Sequence, residues 1–322
     1  MSASTTQPGI LTSARYGKDK VRVFRIVRNG PIHDVVEYNV QVLLEGDIAT
    51  SYTQGDNSVV VATDSMKNIT YYLAKTSPHI LTPEHFALHL ATHVLATYAH
   101  VHKAYVSIEK LRWSRIPVGL EGQEALHPHS FVRDGEEKRF VNAEVRTLAK
   151  SDGSLEGKVT AGLTDLLVLK STGSAFTGFI QDTYTTLTEV SDRILSTSVD
   201  LSYTYKHPIP IAFPTDERRL AFDTPGEVRH ADEIARRTRK ATLDLFALDE
   251  SESVQATLFK MAQQVIADND DVETATYTLP NKHYIPVDMR YIGVDNLTPS
   301  KAEVFMPVSA PSGLISATIS RK

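Results

Sequence analysis

Apolar residues alternate with polar ones early in the chain and then change rhythm. Over residues 20–27, Val21 and Val23 share one face between charged neighbours, and residues 36–44 form a second run of strand formers that ends at Glu45-Gly46. The loop Gly55-Asp56-Asn57 leads into Val59-Val60-Val61, which reads as a short buried strand. Thr63-Asp64-Ser65 then offers side-chain oxygens to the free amides of a helix start. A longer helix opens at Pro83-Glu84. Its apolar stripe is Phe86, Leu90 and Val94 at four-residue spacing, widened by Leu88 and Leu95. Residues 101–113 return to strand character, and 127–131 with 139–148 read as a further pair around a charged turn at 133–137. The order is strand, strand, helix, helix, strand, strand.

The stretch 150–157, polar and holding two glycines, is the expected boundary. The same order returns beyond it: strands at 163–169 and 194–205, helices at 227–248 and 254–267, then strands near 272–279, 282–289 and 302–306. Val254, Leu258, Met261 and Val265 stripe the second helix. The expectation is an α+β chain of two tandem domains at 13–150 and 157–320 behind a flexible leader, 1–12. Each domain is an antiparallel sheet with a helix pair on one face. Open sheets of this kind leave bare edges, which association with other chains commonly hides.

Composition narrows the function. The 322 residues are 41% hydrophobic and 23% charged, as in a globular protein, and the formal charge of 34 − 39 = −5 argues against a nucleic-acid or anionic-membrane binder. With no cysteine, disulfides, thiolate zinc sites, iron–sulfur clusters and thiol nucleophiles are excluded. No run approaches the roughly 20 apolar residues of a membrane span. The first twenty residues lack the apolar centre of a secretory signal, so a soluble intracellular protein is expected. On that basis the glycosylation triplets at Asn68 and Asn296 are accidental. No dinucleotide or phosphate-loop glycine motif occurs, nor a Gly-x-Ser-x-Gly elbow. His85, His89 and His93 have helical spacing for zinc, but no acidic ligand motif accompanies them and the apolar face leaves them on its flank. His127 and His129 read as loop surface, and no metal is expected. The basic run Arg229, Arg236, Arg237, Arg239 and Lys240 is balanced by Glu227, Asp232, Glu233, Asp244, Asp249 and Glu250, which gives a salt-bridged face.

Ser253 reads as a helix N-cap, so Val254 and Gln255 occupy a first turn whose amides lack intrahelical partners and lie at the positive end of the dipole. An anionic ligand edge suits that place.

Five collinear segments carry a resemblance: YGKD at 16–19, YTQGDNSVVVATDSMKN at 52–68, LKSTGSAFTGF at 169–179, DTYTTLTEVSDRILST at 182–197, and SVQAT at 253–257 with LPNKHY at 279–284. Together they resemble urate oxidase from about residue 13 to 320. The resemblance implies two tunnelling-fold domains per chain and a homotetramer, a dimer of dimers, around a central tunnel. It also implies oxidation of urate by dioxygen to 5-hydroxyisourate and hydrogen peroxide without metal or organic cofactor. Phe176 would stack on the flat purine, Arg193 would clamp it with a planar fork, and Gln255 and the Val254 amide would read its edge. Lys18, Thr63 and His283 match the family's catalytic residues: Lys18 easing deprotonation of the Thr63 hydroxyl, His283 carrying the proton onward. Asn281 would hold oxygen or water above the ring, on the same strand face as His283, and Asp64 would join through its backbone. In the family the site is shared between subunits, so an isolated monomer is expected to be inactive.

The chain departs from the family in places. It ends Ser-Arg-Lys, whereas eukaryotic members often end in a Ser-Lys-Leu type peroxisomal address, so cytoplasmic placement is expected, or peroxisomal delivery if the source is eukaryotic. Residues 117–126 and 206–225 follow no matched pattern. Two other readings remain open: a tunnelling-fold relative acting on pterins or guanine nucleotides, and a purine-binding scaffold without turnover.

Overall fold

A computed structural model describes residues 8–149, 154–212 and 222–322. Parts of the leader (1–7), of the boundary stretch (150–153) and of the unmatched segment (213–221) lie outside the described residues. The described chain divides into two compact units. One takes residues from 1–135, 140–161 and 206–229, the other from 136–139, 162–205 and 230–322.

In the first unit, β1 (Tyr16–Asn29) pairs antiparallel with β2 (Ile32–Gly46), and β2 with β3 (Val101–Val118). Next come β4 (Ala125–Ala149) and β5 (Ser154–Lys170), each shared with the second unit, and a short strand at Ile209–Ala212 pairs with the start of β5. Val36, Tyr38, Val40, Val42 and Leu44 alternate into the core, as a half-buried strand requires. After a short helix, α1 (Ala49–Thr53), that face is covered by α2 (Thr63–Thr76) and α3 (Pro83–Thr97), with the Tyr38 ring stacked on Phe86 at 6.0 Å and its hydroxyl donating to the Ile80 carbonyl at 2.6 Å.

The second unit repeats the plan. Beside residues 162–170 of β5 lie β6 (Leu195–Tyr205), β7 (Val272–Pro286) and β9 (Leu314–Ser320), and β8 (Phe305–Val308) pairs with the end of β7. Helices α4 (Ala231–Leu248) and α5 (Val254–Asp268) cover one face, and the buried Tyr277 hydroxyl meets Thr242 of α4 at 2.7 Å. The stripe Val254, Leu258, Met261 and Val265 is buried. Arg321 closes α5, its guanidinium donating to the carbonyls of Ile266, Asn269 and Val272. The α+β plan of paired antiparallel sheet and helices is thus the observed one.

Several local expectations are corrected. Val59-Val60-Val61 is no strand: residues Asn57–Val59 form a single 3-10 turn, capped by the Asp56 carboxylate on the Ser58 amide at 2.9 Å. The turn at 133–137 is part of continuous β4. Arg133 pairs with Glu37 and lies over the Trp113 ring, Asp134 takes Arg112 and Ser114, and Gly135 absorbs the irregularity at φ 75°. His127 and His129 therefore lie on a strand, not a loop. The pair expected at 272–279 and 282–289 is one strand, because Pro280 still has a partner in Leu314 and the chain stays extended to Pro286. The edge strand Leu314–Ser320 was not expected. Helix α4 starts at Ala231 after a 3-10 turn at Gly226–Val228.

The helix histidines do not sit on the flank. Helix α3 is buried nearly all round, and His89 is buried with its ring stacked on Phe222 and Nδ1 at 2.8 Å from the Ser77 hydroxyl. His85 Nε2 lies 2.7 Å from the Val228 carbonyl. Asn296 is also an internal strut, its amide donating to the carbonyls of Val287 and Val304. Among the described residues no helix is long and apolar enough to cross a membrane.

Candidate active site

The predicted site residues form two groups, one in each unit. In the first, Gly17 is forced: a Cβ there would lie 1.8 Å from the Val42 carbonyl oxygen, so no other residue fits the close register of β1 on β2. A bulge follows between Lys18 and Val21, with Lys20 at φ 55°. Lys18 opposes Val42 and Tyr16 opposes Leu44, so both side chains lie on the helix-covered face. The Tyr16 hydroxyl accepts from the Val61 amide at 2.6 Å and donates to the Val61 carbonyl at 3.2 Å. Two residues on, Thr63 is the first residue of α2.

The capping expected of Thr63-Asp64-Ser65 does not occur. Ala62 is the N-cap, and the helix start has no side-chain cap hydrogen bond. Asp64 is engaged with Lys67 at 2.5 Å and Asn68 at 2.9 Å. These partners, Lys67 foremost, hold its carboxyl below the usual range, and the Lys18 charge adds to the effect. Lys18, Thr63 and Asp64 are therefore one neighbourhood, in which the Thr63 and Asp64 amides have no intrahelical partner.

The second group is built around a backbone bridge. Ser174 pairs with Ser251: the Ala175 amide donates to the Ser251 carbonyl at 2.8 Å and the Ser251 amide to the Gly173 carbonyl at 3.0 Å. Phe176 exchanges backbone bonds with Val190, and the Arg193 amide donates to the Ser174 carbonyl at 2.8 Å. Asp192 secures the turn by accepting from the Thr172 hydroxyl at 2.6 Å and the Gly173 amide at 2.8 Å. The bridge delivers the chain to Ser253, whose hydroxyl accepts from the Ala256 amide at 3.1 Å, so the predicted N-cap is present. Val254 is buried and Gln255 is exposed on this first turn.

Phe176 is half-buried, stacked on Phe179 at 4.7 Å, and the Arg193 guanidinium carbon lies 5.0 Å from its ring centroid. Burial pushes the Arg193 pKa down, and its Nε has no hydrogen bond among the described residues. Asn281 is in the same condition. Its backbone amide donates to the Gly313 carbonyl at 2.8 Å, it pairs with Thr197 of β6, and its side-chain Oδ1 is buried without a partner among the described residues. His283, two residues on and on the same face, opposes Val308. Arg193 thus offers an unmatched donor and Asn281 an unmatched acceptor in the same unit, where Ser174 Oγ, Arg237 Nε and Asn269 Oδ1 are likewise buried without a hydrogen bond among the described residues.

A sequence model of the uricase family matches residues 14–144 and 159–316. The chain belongs to the uricase family. The uricase of Aspergillus flavus is 44% identical over 315 residues, covering 96% of this chain and 96% of that protein. The uricase of Schizosaccharomyces pombe is 41% identical over 312 residues, covering 95% and 96%. The crystal structure of uricase from Arthrobacter globiformis superposes with a TM-score of 0.81 at 32% identity, covering 98% of this chain and 96% of that one. The tunnelling fold comes with this membership.

Against this uricase framework, sequence reasoning overlooked the residues that hold the named ones. Tyr16 stood in a matched segment without a role. The Ser174–Ser251 bridge and the Asp192 clamp leave no periodic signal, because they join loops distant in sequence. Among the described residues no group of three or more His, Cys, Asp or Glu is arranged to hold a metal ion.

Proposed function

We propose that this chain oxidises urate with dioxygen and water to 5-hydroxyisourate and hydrogen peroxide, without metal or organic cofactor. The carrying observation is the second group: an aromatic face at Phe176, the Arg193 Nε and Asn281 Oδ1 without partners among the described residues, and a helix N-terminus at Val254-Gln255. A flat anion with donors and acceptors on its edges suits that set. Arg193 grips a carbonyl and ring nitrogen, and its permanent charge favours the anion. The Val254 amide and the Gln255 side chain read the opposite edge, and Phe176 lies against the purine plane.

The chemistry falls to Lys18, Thr63 and His283. Ground-state dioxygen is a triplet and reacts slowly with closed-shell molecules, so the substrate is made electron-rich by losing a proton. The Lys18 ammonium lowers the cost of deprotonating the Thr63 hydroxyl, a group released from capping duty, and His283 passes the proton on. Two electrons leave the urate dianion for dioxygen, which takes up two protons as peroxide, and water supplies the hydroxyl of the product. Asn281 holds oxygen or water over the ring, and the Asp64 amide contacts the substrate.

Lys18, Thr63 and Asp64 belong to the first unit and the remaining residues to the second. In this reading the first-unit group of one subunit meets the second-unit group of another in a homotetramer. Exposed large apolar side chains support self-association, among them Ile180 (89%), Tyr184 (90%) and Tyr291 (82%). The test is oxygen uptake by the purified chain. Urate should drive rapid consumption, and pterins or guanine nucleotides should not. No uptake with urate would reject the reading.

A further inference from the structure

We propose that Tyr16 is a positioning residue for the reaction: its hydroxyl, bonded to both the amide and the carbonyl of Val61, fixes where the Thr63 hydroxyl stands relative to Lys18. The inference rests on the urate-oxidation reading and adds a residue to it.

The lever is short. Val61 is separated from Thr63 only by Ala62, whose carbonyl already accepts from the Ser65 amide at 2.9 Å and the Met66 amide at 3.3 Å. Anything that fixes Val61 therefore fixes the first turn of α2. The preceding turn is held internally, with the Val60 amide bonded to the Asn57 carbonyl at 3.1 Å and the Asp56 amide to the Thr50 carbonyl at 3.3 Å, and the Val61 side chain is buried. Tyr16 supplies the restraint from β1. One phenol satisfies the donor and the acceptor of a single residue, at 2.6 and 3.2 Å.

The same strand carries Lys18. Tyr16 and Lys18 are two apart before the bulge begins, so they leave β1 on one face, toward α2. Gly17 between them is pressed against Val42 so closely that the strand has no freedom to shift. Tyr16 thus ties together the two pieces of backbone that bear Lys18 and Thr63. Burial raises the Tyr16 pKa, which keeps the phenol protonated and able to donate as well as accept. A displacement of about 1 Å at a reacting group can cost on the order of a hundredfold in rate, so a tie of this kind matters to turnover more than to stability.

The experiment compares the full chain with Tyr16→Phe, which keeps the ring and removes both hydrogen bonds. Expected are a kcat lower by about tenfold, a KM within about threefold, and faster amide exchange confined to peptides spanning residues 57–66. A kcat within about twofold of the parent, or a KM that rises as far as kcat falls, overturns the inference. Should Tyr16→Phe yield no soluble protein, Ala62→Gly decides. Glycine is tolerated at an N-cap, and it loosens the link between Val61 and Thr63 while Tyr16 stays bonded. Its kcat should fall by at least about threefold at unchanged KM, and an unchanged kcat overturns the inference. A parent chain without urate-dependent oxygen uptake would overturn the reading beneath, whereas an active parent with insensitive variants overturns this inference alone.

Discussion

Arg193 and Thr63 show how differently two proposed site residues depend on their surroundings. Arg193 carries its charge into a half-buried place beside Phe176 with an Nε that no described protein group takes up. A lysine keeps the charge and loses the fork. Arg193→Lys should therefore weaken binding of a purine inhibitor by about tenfold or more, since a lost charge-assisted bond is worth roughly 1.5–3 kcal/mol. Titration calorimetry with xanthine checks this, and unchanged affinity would contradict the role given to the fork. Thr63, by contrast, is assigned to chemistry. Thr63→Ala should slow turnover by on the order of a hundredfold while inhibitor affinity changes by only a few-fold. Equal losses in both would reduce Thr63 to positioning. Of these residues, Ser253 announced its place most plainly, because an N-cap follows from local hydrogen-bond chemistry. Thr63 misled: its sequence context promises a cap, but Ala62 takes that position and the hydroxyl is left for other work. Tyr16 had no local signal at all, because its partner Val61 is set by the pairing of distant segments.

At the scale of elements, α5 and α3 carry the sharpest tests. Ser253→Ala removes the cap on Ala256 and should cost about 1 kcal/mol, read as a lower denaturation midpoint. It should also raise the inhibitor dissociation constant, because the first turn holding Val254 and Gln255 frays. Within the first unit, burial lowers the pKa of both His79 and His93. The unfolded chain then binds protons first. As pH falls through the ordinary imidazole value near 6.5, unfolding takes up protons and stability declines. The melting temperature should drop between pH 7.5 and 5.5, and His93→Gln should flatten that drop. A wild-type melting temperature independent of pH over that interval would refute the assignment. The periodicity of α3 and α5 was legible because each has an apolar stripe, as was the alternation of β2. What the periodicity could not tell was how much of α3 is enclosed: Phe222, from a segment far along the chain, stacks on His89 and takes a flank that the stripe alone leaves in solvent. The charged run at 133–137 failed for a related reason, since Arg133 is met by Glu37 of β2 and Trp113 of β3, Asp134 by Arg112 of β3 and Glu137 by Arg239 of α4, so its charges need no turn.

For the whole molecule, the proposed function makes the oligomer part of the catalyst. Specific activity should fall on dilution in step with dissociation followed by mass photometry, and activity per chain that stays constant through dissociation would show the monomer to be sufficient. The exposed Ile180 and Tyr184 give a handle: charged replacements there should weaken assembly and activity together. Beneath this lies the claim that protein side chains alone bring urate and dioxygen to reaction. The most direct measurement follows urate loss by ultraviolet absorbance, oxygen uptake and peroxide release together, in protein exhaustively treated with chelator. The account predicts undiminished turnover, with one dioxygen consumed and one peroxide formed for each urate lost. Turnover abolished by the chelator and restored by iron or copper would contradict it.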